Sequence, residues 1–257
     1  SDVCSSDLSG TKLCDLLTDK EKEYVAELLL GVTTDTQDTT GQVLEERALT
    51  CDAARVREVI LEFVGAYDQI PPMYSALKVD GKKLYELARA GREVERKARR
   101  VEIREIEILE TALPVVKLRV VCSKGTYIRT LCADIGERLG CGGTMQSLVR
   151  TRVGAFRLEN AITLKELEAL RDSDRVTEKL LSVDAVFADC PVLHMQESFD
   201  RLLENGNAIN PEQTKEQMQY AEGQYVRFYR ADGSFAGIYA WRQEKGRYQP
   251  VKMFLER

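Results

Sequence analysis

The order of patterns along this chain predicts an α+β fold, with a larger region of strands and intervening helices followed by a smaller unit of short strands. Segments 22–31, 101–109 and 114–122 are apolar at strand length, the first two alternating apolar with other residues. Segments 50–63 and 127–139 carry apolar residues at helical spacing. Beyond Cys190-Pro191, segments 225–229, 235–241 and 250–255 read as strands, the first two joined by a hairpin turn at Ala231-Asp232-Gly233.

In the first strand Tyr24, Ala26 and Leu28 alternate with Val25, Glu27 and Leu29, and Gly31 ends it. Residues 33–41 are polar and turn-forming, with Asp35, Asp38 and Gly41. Thr50 is the expected N-cap of the next helix, which sets Ala53, Val56, Val59, Ile60 and Phe63 on one face. Gly65 closes that helix, and Pro71-Pro72 forces an extended path. A short helix at 83–90 is closed by Gly91 as its C′ residue. The helix at 127–139 is bounded by Gly140, Gly142 and Gly143, and 144–156 returns as loop and strand. Thr163 caps a further helix, with Glu166 completing a capping box. Residues 199–205 form a short helix, ended by a turn at Gly206-Asn207.

At 257 residues the chain buries a real core and holds one large or two modest domains. No apolar run approaches the roughly 20 residues of a membrane span, and no secretory pattern opens the chain, which points to the cytoplasm. Seven cysteines, without a Cys-x-x-Cys pair, read as reduced and mostly buried thiols. His194 is the only histidine, so Ser-His-Asp and multi-histidine metal chemistry are poor fits, and its expected role is structural.

Residues 78–104 contain ten basic and five acidic side chains, a net +5 in a chain of net −5. A local reversal of sign suits a phosphate-binding surface, although a solvated charged helix has the same composition. The order of residues is more specific. Pro71, Pro72, Tyr74, Ser75, Ala76, Lys78, Gly81, Tyr85, Ala88, Arg89 and Gly91 together resemble the RNA-gripping segment of the TruB family of tRNA pseudouridine synthases. The resemblance continues in register to the C-terminus and covers nearly everything after residue 10.

It implies a pseudouridine synthase catalytic domain over 9–190, with a mixed, mainly antiparallel sheet and flanking helices. A small PUA-like, RNA-binding β-barrel over 191–257 follows. The implied activity is isomerisation of the T-loop uridine (uridine-55) of tRNA, by base flipping and C-glycoside formation, without metal or cofactor. The tRNA T arm is the implied partner, with no membrane and no obligate protein partner. The related guide-RNA-dependent branch fits less well, because the tail after Pro191 is short.

Gly125 lets the backbone turn tightly, so that Tyr127 and Arg129 project from the mouth of the sheet. The resemblance makes Arg129 the partner of the catalytic aspartate and Tyr127 part of the uracil pocket. Read alone, Arg129 is an arginine capping a local carboxylate. Tyr24 matches the tyrosine that stacks on the flipped uracil and is a candidate general base, or else a strand tyrosine of the core. Leu148 matches an apolar pocket wall, or is an ordinary core leucine. Tyr74, Lys78, Tyr85 and Arg89 are the implied RNA contacts.

The family's aspartate lies in a Leu-Asp-Pro context that occurs nowhere in this chain. Asp2 and Asp7 lack that context, and Asp35 and Asp38 sit in a different loop. Residues 1–8 resemble the translated adapter of a sequencing library and are set aside as a non-native scar. The expectation is a domain lacking its first part: an enzyme by family, with this polypeptide inactive. The alternative is a non-catalytic tRNA-binding or RNA-folding module.

Overall fold

The computed structural model describes residues 13, 16, 17, 20–79, 81–92 and 94–254. The expectations for residues 1–8, for the helix end around Gly10 to Cys14 (apart from Leu13) and for Leu255 lie outside the described residues, as do Asp80 and Glu93. The chain forms two compact units, one of Leu16–Ala161 and one that takes in the chain from Ile162 onward.

The first unit is built on a six-stranded sheet. Its elements are β1 (Lys22–Leu30), β2 (Val32–Thr34), β3 (Val43–Glu46), α1 (Ala53–Leu61), β4 (Gly65–Gln69), β5 (Lys78–Val79), β6 (Lys82–Lys83) and α2 (Leu84–Arg89). They continue with β7 (Arg99–Ala112), β8 (Val115–Cys122), α3 (Ile128–Arg138), β9 (Gly143–Val153) and β10 (Phe156–Arg157). The strand order is β10-β9-β1-β8-β7-β4, and every neighbouring pair is antiparallel.

Alternation along β1 and β8 divides the sheet into two faces. Ala26, Leu28, Leu30, Val116, Leu118 and Val120 are buried on one of them, joined in the core by Val59 and Ile60 of α1 and by Leu131 and Ile135 of α3. The other face is polar. Arg119 reaches Glu23 (3.2 Å), Glu107 (2.6 Å) and Glu105, while Thr151 donates to Glu23 (2.8 Å) and Ser147 to Glu27 (2.8 Å). Cross-strand pairs of this kind hold register, since a one-residue slip would carry the charges into the core.

Two local expectations change. The helix expected from Thr50 starts at Ala53, because Asp52 is the N-cap: its carboxylate accepts the Arg55 N–H at 2.9 Å and sits at the positive end of the helix. The polar stretch at 33–41 is not all turn. Its first residues form β2, which pairs with β3, and the turn proper lies between them.

The second unit contains α4 (Leu164–Asp172), β11 (Val192–His194), α5 (Asp200–Glu204), β12 (Tyr225–Tyr229), β13 (Phe235–Arg242) and β14 (Arg247–Met253). Thr163 caps α4 in the expected capping box with Glu166. The sheet runs β11-β12-β13-β14, parallel in its first pair and antiparallel in the others, over a core that includes Phe228, Tyr239, Trp241 and Tyr248. Among the described residues its outer strands, β11 and β14, do not pair with each other. His194 bonds Glu216 through Nδ1 at 2.7 Å. Among the described residues no disulfide forms, and no helix is long and apolar enough to cross a membrane.

Helix α3 packs tightly against the start of β9. A Cβ on Gly136 would stand 2.1 Å from the Gly143 nitrogen and 2.2 Å from the Gly142 carbonyl carbon, both backbone atoms. Gly136→Ala is therefore expected to cost about 3 kcal/mol by overpacking. Chemical denaturation checks it, with Asp52→Ala as a milder comparison costing about 1 kcal/mol for the lost cap.

Candidate active site

The site begins where β8 gives way to α3. After Cys122 the chain turns through Gly125, at φ +80°, a left-handed conformation that strains any residue with a Cβ. Thr126 Oγ1 donates back to the Ser123 carbonyl at 3.0 Å and tightens the turn. Tyr127 is then the N-cap of α3, with extended backbone and no capping by its own side chain. Its N–H is accepted by Gln69 Oε1 at 2.8 Å, and its carbonyl accepts from Gln69 Nε2 at 3.1 Å. The expected glycine turn before Tyr127 and Arg129 is present at Gly125.

Arg129 lies in the first turn of α3. Its Nη1 is 3.2 Å from Asp38 Oδ2 and donates to the Thr36 carbonyl at 3.4 Å. Asp38 belongs to the turn between β2 and β3, where the sequence assigns it only a turn-forming role. Its Oδ1 accepts from Thr36 Oγ1 (2.9 Å), Thr40 N–H (3.1 Å) and Thr40 Oγ1 (2.5 Å). Burial pushes this carboxyl up, but the Thr40 and Thr36 hydrogen bonds and the Arg129 charge outweigh it and hold the group below its ordinary value. The neighbouring pair repeats the tie: Thr130 Oγ1 donates to Gln37 Oε1 at 2.8 Å, with Gln37 held at φ +62°. A signal for Asp38 was present in the sequence. An Asp flanked by Thr36 and Thr40 forms a self-bonded turn, and a half-buried arginine needs a carboxylate.

Tyr24 and Leu148 lie on the core face of the sheet. Tyr24 stands opposite Val120 on β8 and Arg150 on β9, and Leu148 opposite Ala26, so all point to the same side. Burial, with the Cys122 thiol adding to it, raises the Tyr24 phenol above its ordinary value. Along β9 burial ends abruptly. Thr144 is fully buried, whereas residues 146–150 are exposed and Leu148 is 40% accessible. The core face is thus open along the middle of β9, with Leu148 on it and the half-buried Tyr24 one strand away.

The basic segment folds on itself. Leu84 N–H donates to the Leu77 carbonyl (2.7 Å) and Tyr85 N–H to Ser75 (3.1 Å), so the preceding loop satisfies donors that the start of α2 leaves over. Tyr85 is bracketed by cations, with Lys83 Nζ 5.4 Å and the Arg89 guanidinium 5.6 Å from its ring centre. Tyr74 is half-buried in the loop, while Lys78 and Arg89 are exposed. A cleft of about 680 Å³ beside α3 is lined by Gln37, Phe63, Tyr67, Thr130, Asp134 and Arg138, among others, and burial pushes the Asp134 carboxyl up to about 6.

Comparison with known proteins adds to this geometry. The profile described as "TruB family pseudouridylate synthase (N terminal domain)" matches residues 8–128, and that of the "tRNA pseudouridylate synthase B C-terminal domain" matches 129–188. The chain is 47% identical over 260 residues to a tRNA pseudouridine synthase B of Lachnoclostridium phytofermentans, covering 96% of this chain and 84% of that protein. It is 43% identical over 244 residues to the protein of the same name from Alkaliphilus oremlandii, covering 95% and 80%. Among solved structures, a Cbf5-Nop10-Gar1 complex aligns with a TM-score of 0.70 at 22% identity, covering 97% of this chain and 71% of that one. An H/ACA RNP bound to a substrate RNA containing 2′-deoxyuridine aligns with a TM-score of 0.69 at 19% identity, covering 97% and 70%. At these identities the two structures speak to the fold.

The two aspartates dictate opposite pH dependences. Asp134, raised from 3.8 to about 6, binds more protons in the folded state, so its charged form opposes folding increasingly as pH rises from about 4 to 6. Asp38, held low, contributes stability above its unfolded value that is lost as pH falls through its folded one. Asp134→Asn is expected to melt like the parent at pH 4 and to be more stable at pH 7.5. The gain is about 1–2 kcal/mol after discounting for solvent on the open side, read from paired thermal melts.

Proposed function

The chain belongs to the TruB family of pseudouridylate synthases, and on that premise we propose that its site receives the T-loop uridine of tRNA, uridine-55, for isomerisation to pseudouridine. The observation that carries this reading is the Arg129–Asp38 pair at the start of α3, on a sheet whose core face is open along β9. A stacked uracil must leave the RNA before its glycosidic bond is within reach. Tyr24, Tyr127 and Leu148 supply aromatic and apolar walls against which an extruded base is held. The phosphates on either side meet the basic segment, with Tyr74, Lys78, Tyr85 and Arg89 as RNA contacts. Residues 9–190 form the catalytic part in this reading and 191–257 the PUA-like part, acting in the cytoplasm on the tRNA T arm without an obligate protein partner.

The reaction breaks the C–N glycosidic bond, rotates the base and joins the sugar to C5, which loses its proton while N1 takes one up, with one carboxylate attacking the sugar or taking part in elimination across it. An arginine beside that carboxylate keeps it ionised in a dry pocket. Asp38 is poorly suited to the task. Three donors occupy its Oδ1 and Arg129 holds its Oδ2, so its lone pairs are committed to shaping the turn. With no Leu-Asp-Pro among its residues, this polypeptide is expected to grip tRNA without turning it over. That is the behaviour of the second reading, a tRNA-binding or RNA-folding module.

Incubation with unmodified tRNA, with product and retention measured separately, tests both parts. Retention without pseudouridine is the expected result; turnover would mean that a carboxylate already in the chain serves. Affinity is expected to fall with salt as phosphate contacts release counterions. Reversing Lys78 and Arg89 together to Glu is expected to weaken binding about tenfold and lessen the log–log salt slope by about 2. Unchanged affinity would make the segment a solvated face.

A further inference from the structure

We infer that Gln69 is a positioning residue that sets the Tyr127–Arg129 turn from the strand leading into the basic segment, an inference that rests on the proposed tRNA reading. Gln69 is the last residue of β4, an edge strand of the main sheet, and is 1% exposed. Its amide grips both sides of one peptide unit's residue, accepting the Tyr127 N–H and donating to the Tyr127 carbonyl. That is the bonding of a paired strand, made by a side chain 58 positions away in the chain. Nε2 also donates to Tyr67 Oη, so the buried amide is bonded on both of its polar atoms. A buried group satisfied in this way is costly to disturb and keeps its geometry.

The position of this clamp gives it consequences. Tyr127 opens α3, since the Leu131 N–H donates to the same carbonyl at 3.0 Å. Two residues on, Arg129 is held at its far end by Asp38 and Thr36. The turn is thus pinned from two sides, by Gln69 behind Tyr127 and by Asp38 ahead of Arg129. Gln69 is also followed directly by Ile70 and then by Pro71, whose carbonyl accepts from Arg96 Nη1 of the basic segment at 3.0 Å. The basic segment is thus linked, through Pro71 and Ile70, to a residue bonded directly to the backbone of the Tyr127 turn. Glutamine suits the task because it offers a donor and an acceptor on one planar group. Glutamate would keep the bond to the Tyr127 N–H and set an oxygen against its carbonyl.

The test uses the full chain with a T-arm RNA carrying 2-aminopurine beside the target uridine, whose fluorescence rises when the neighbouring base leaves the stack. Retention of the same RNA is measured in parallel. Gln69→Met, close in volume, is expected to keep RNA affinity within about twofold and to lose about tenfold of the extrusion equilibrium. Gln69→Glu, which keeps one of the two Tyr127 bonds, is expected to lose about threefold and stands as the deciding variant should Gln69→Met fail to fold. Extrusion equal to the parent in the folded variants, with retention intact, overturns the inference alone. Failure of the parent chain to retain the RNA overturns it together with the tRNA reading.

Discussion

The seat of α3 on the sheet governs the rest of the first unit. Gly136 has no Cβ, and the helix backbone can therefore rest against Gly142 and Gly143 at a separation that any other residue would forbid. With its C-terminal half anchored there, Leu131 and Ile135 complete the core, and the N-terminal turn falls beside the loop that carries Asp38. Packing of this density is not gradually adjustable, so the positions of Tyr127 and Arg129 are consequences of core geometry as much as of loop sequence.

Around that seat the unit separates two uses of charge. On the outer face of the sheet, Arg119 ties together three glutamates from the neighbouring strands and fixes register. In the basic segment the cations are in excess, and Lys83 and Arg89 lie against an aromatic ring and remain half-exposed and exposed respectively. The site between these regimes holds one pair, Arg129 with Asp38, in which the carboxylate is so fully bonded that the pair is a fixed electrostatic feature.

Much of the fold was legible in local pattern. The strand at 22–31, the helix at 127–139, the Gly91 stop and the Thr163–Glu166 capping box all follow from short-range rules, and the structure repeats them within a residue or two. Misreadings fell where two local solutions compete. Thr50 and Asp52 are both N-cap residues, and the carboxylate that reaches the Arg55 N–H wins. Residues 32–34 carry threonines that suit turn and strand alike, and pairing with β3 decides for strand.

For the site, the motif from Pro71 to Gly91 and the turn from Lys124 to Arg129 carry the family resemblance in sequence, because each is encoded within about twenty neighbouring residues or fewer. Composition and order thus determined the family and the α+β class. Only the folded chain supplied the partners: Asp38 for Arg129, Gln69 for Tyr127, Gln37 for Thr130. Each of those contacts joins residues at least 58 apart in the chain, where no periodicity links them. Whether a polar side chain meets another across that distance depends on strand register and helix seating, which are properties of the assembled core.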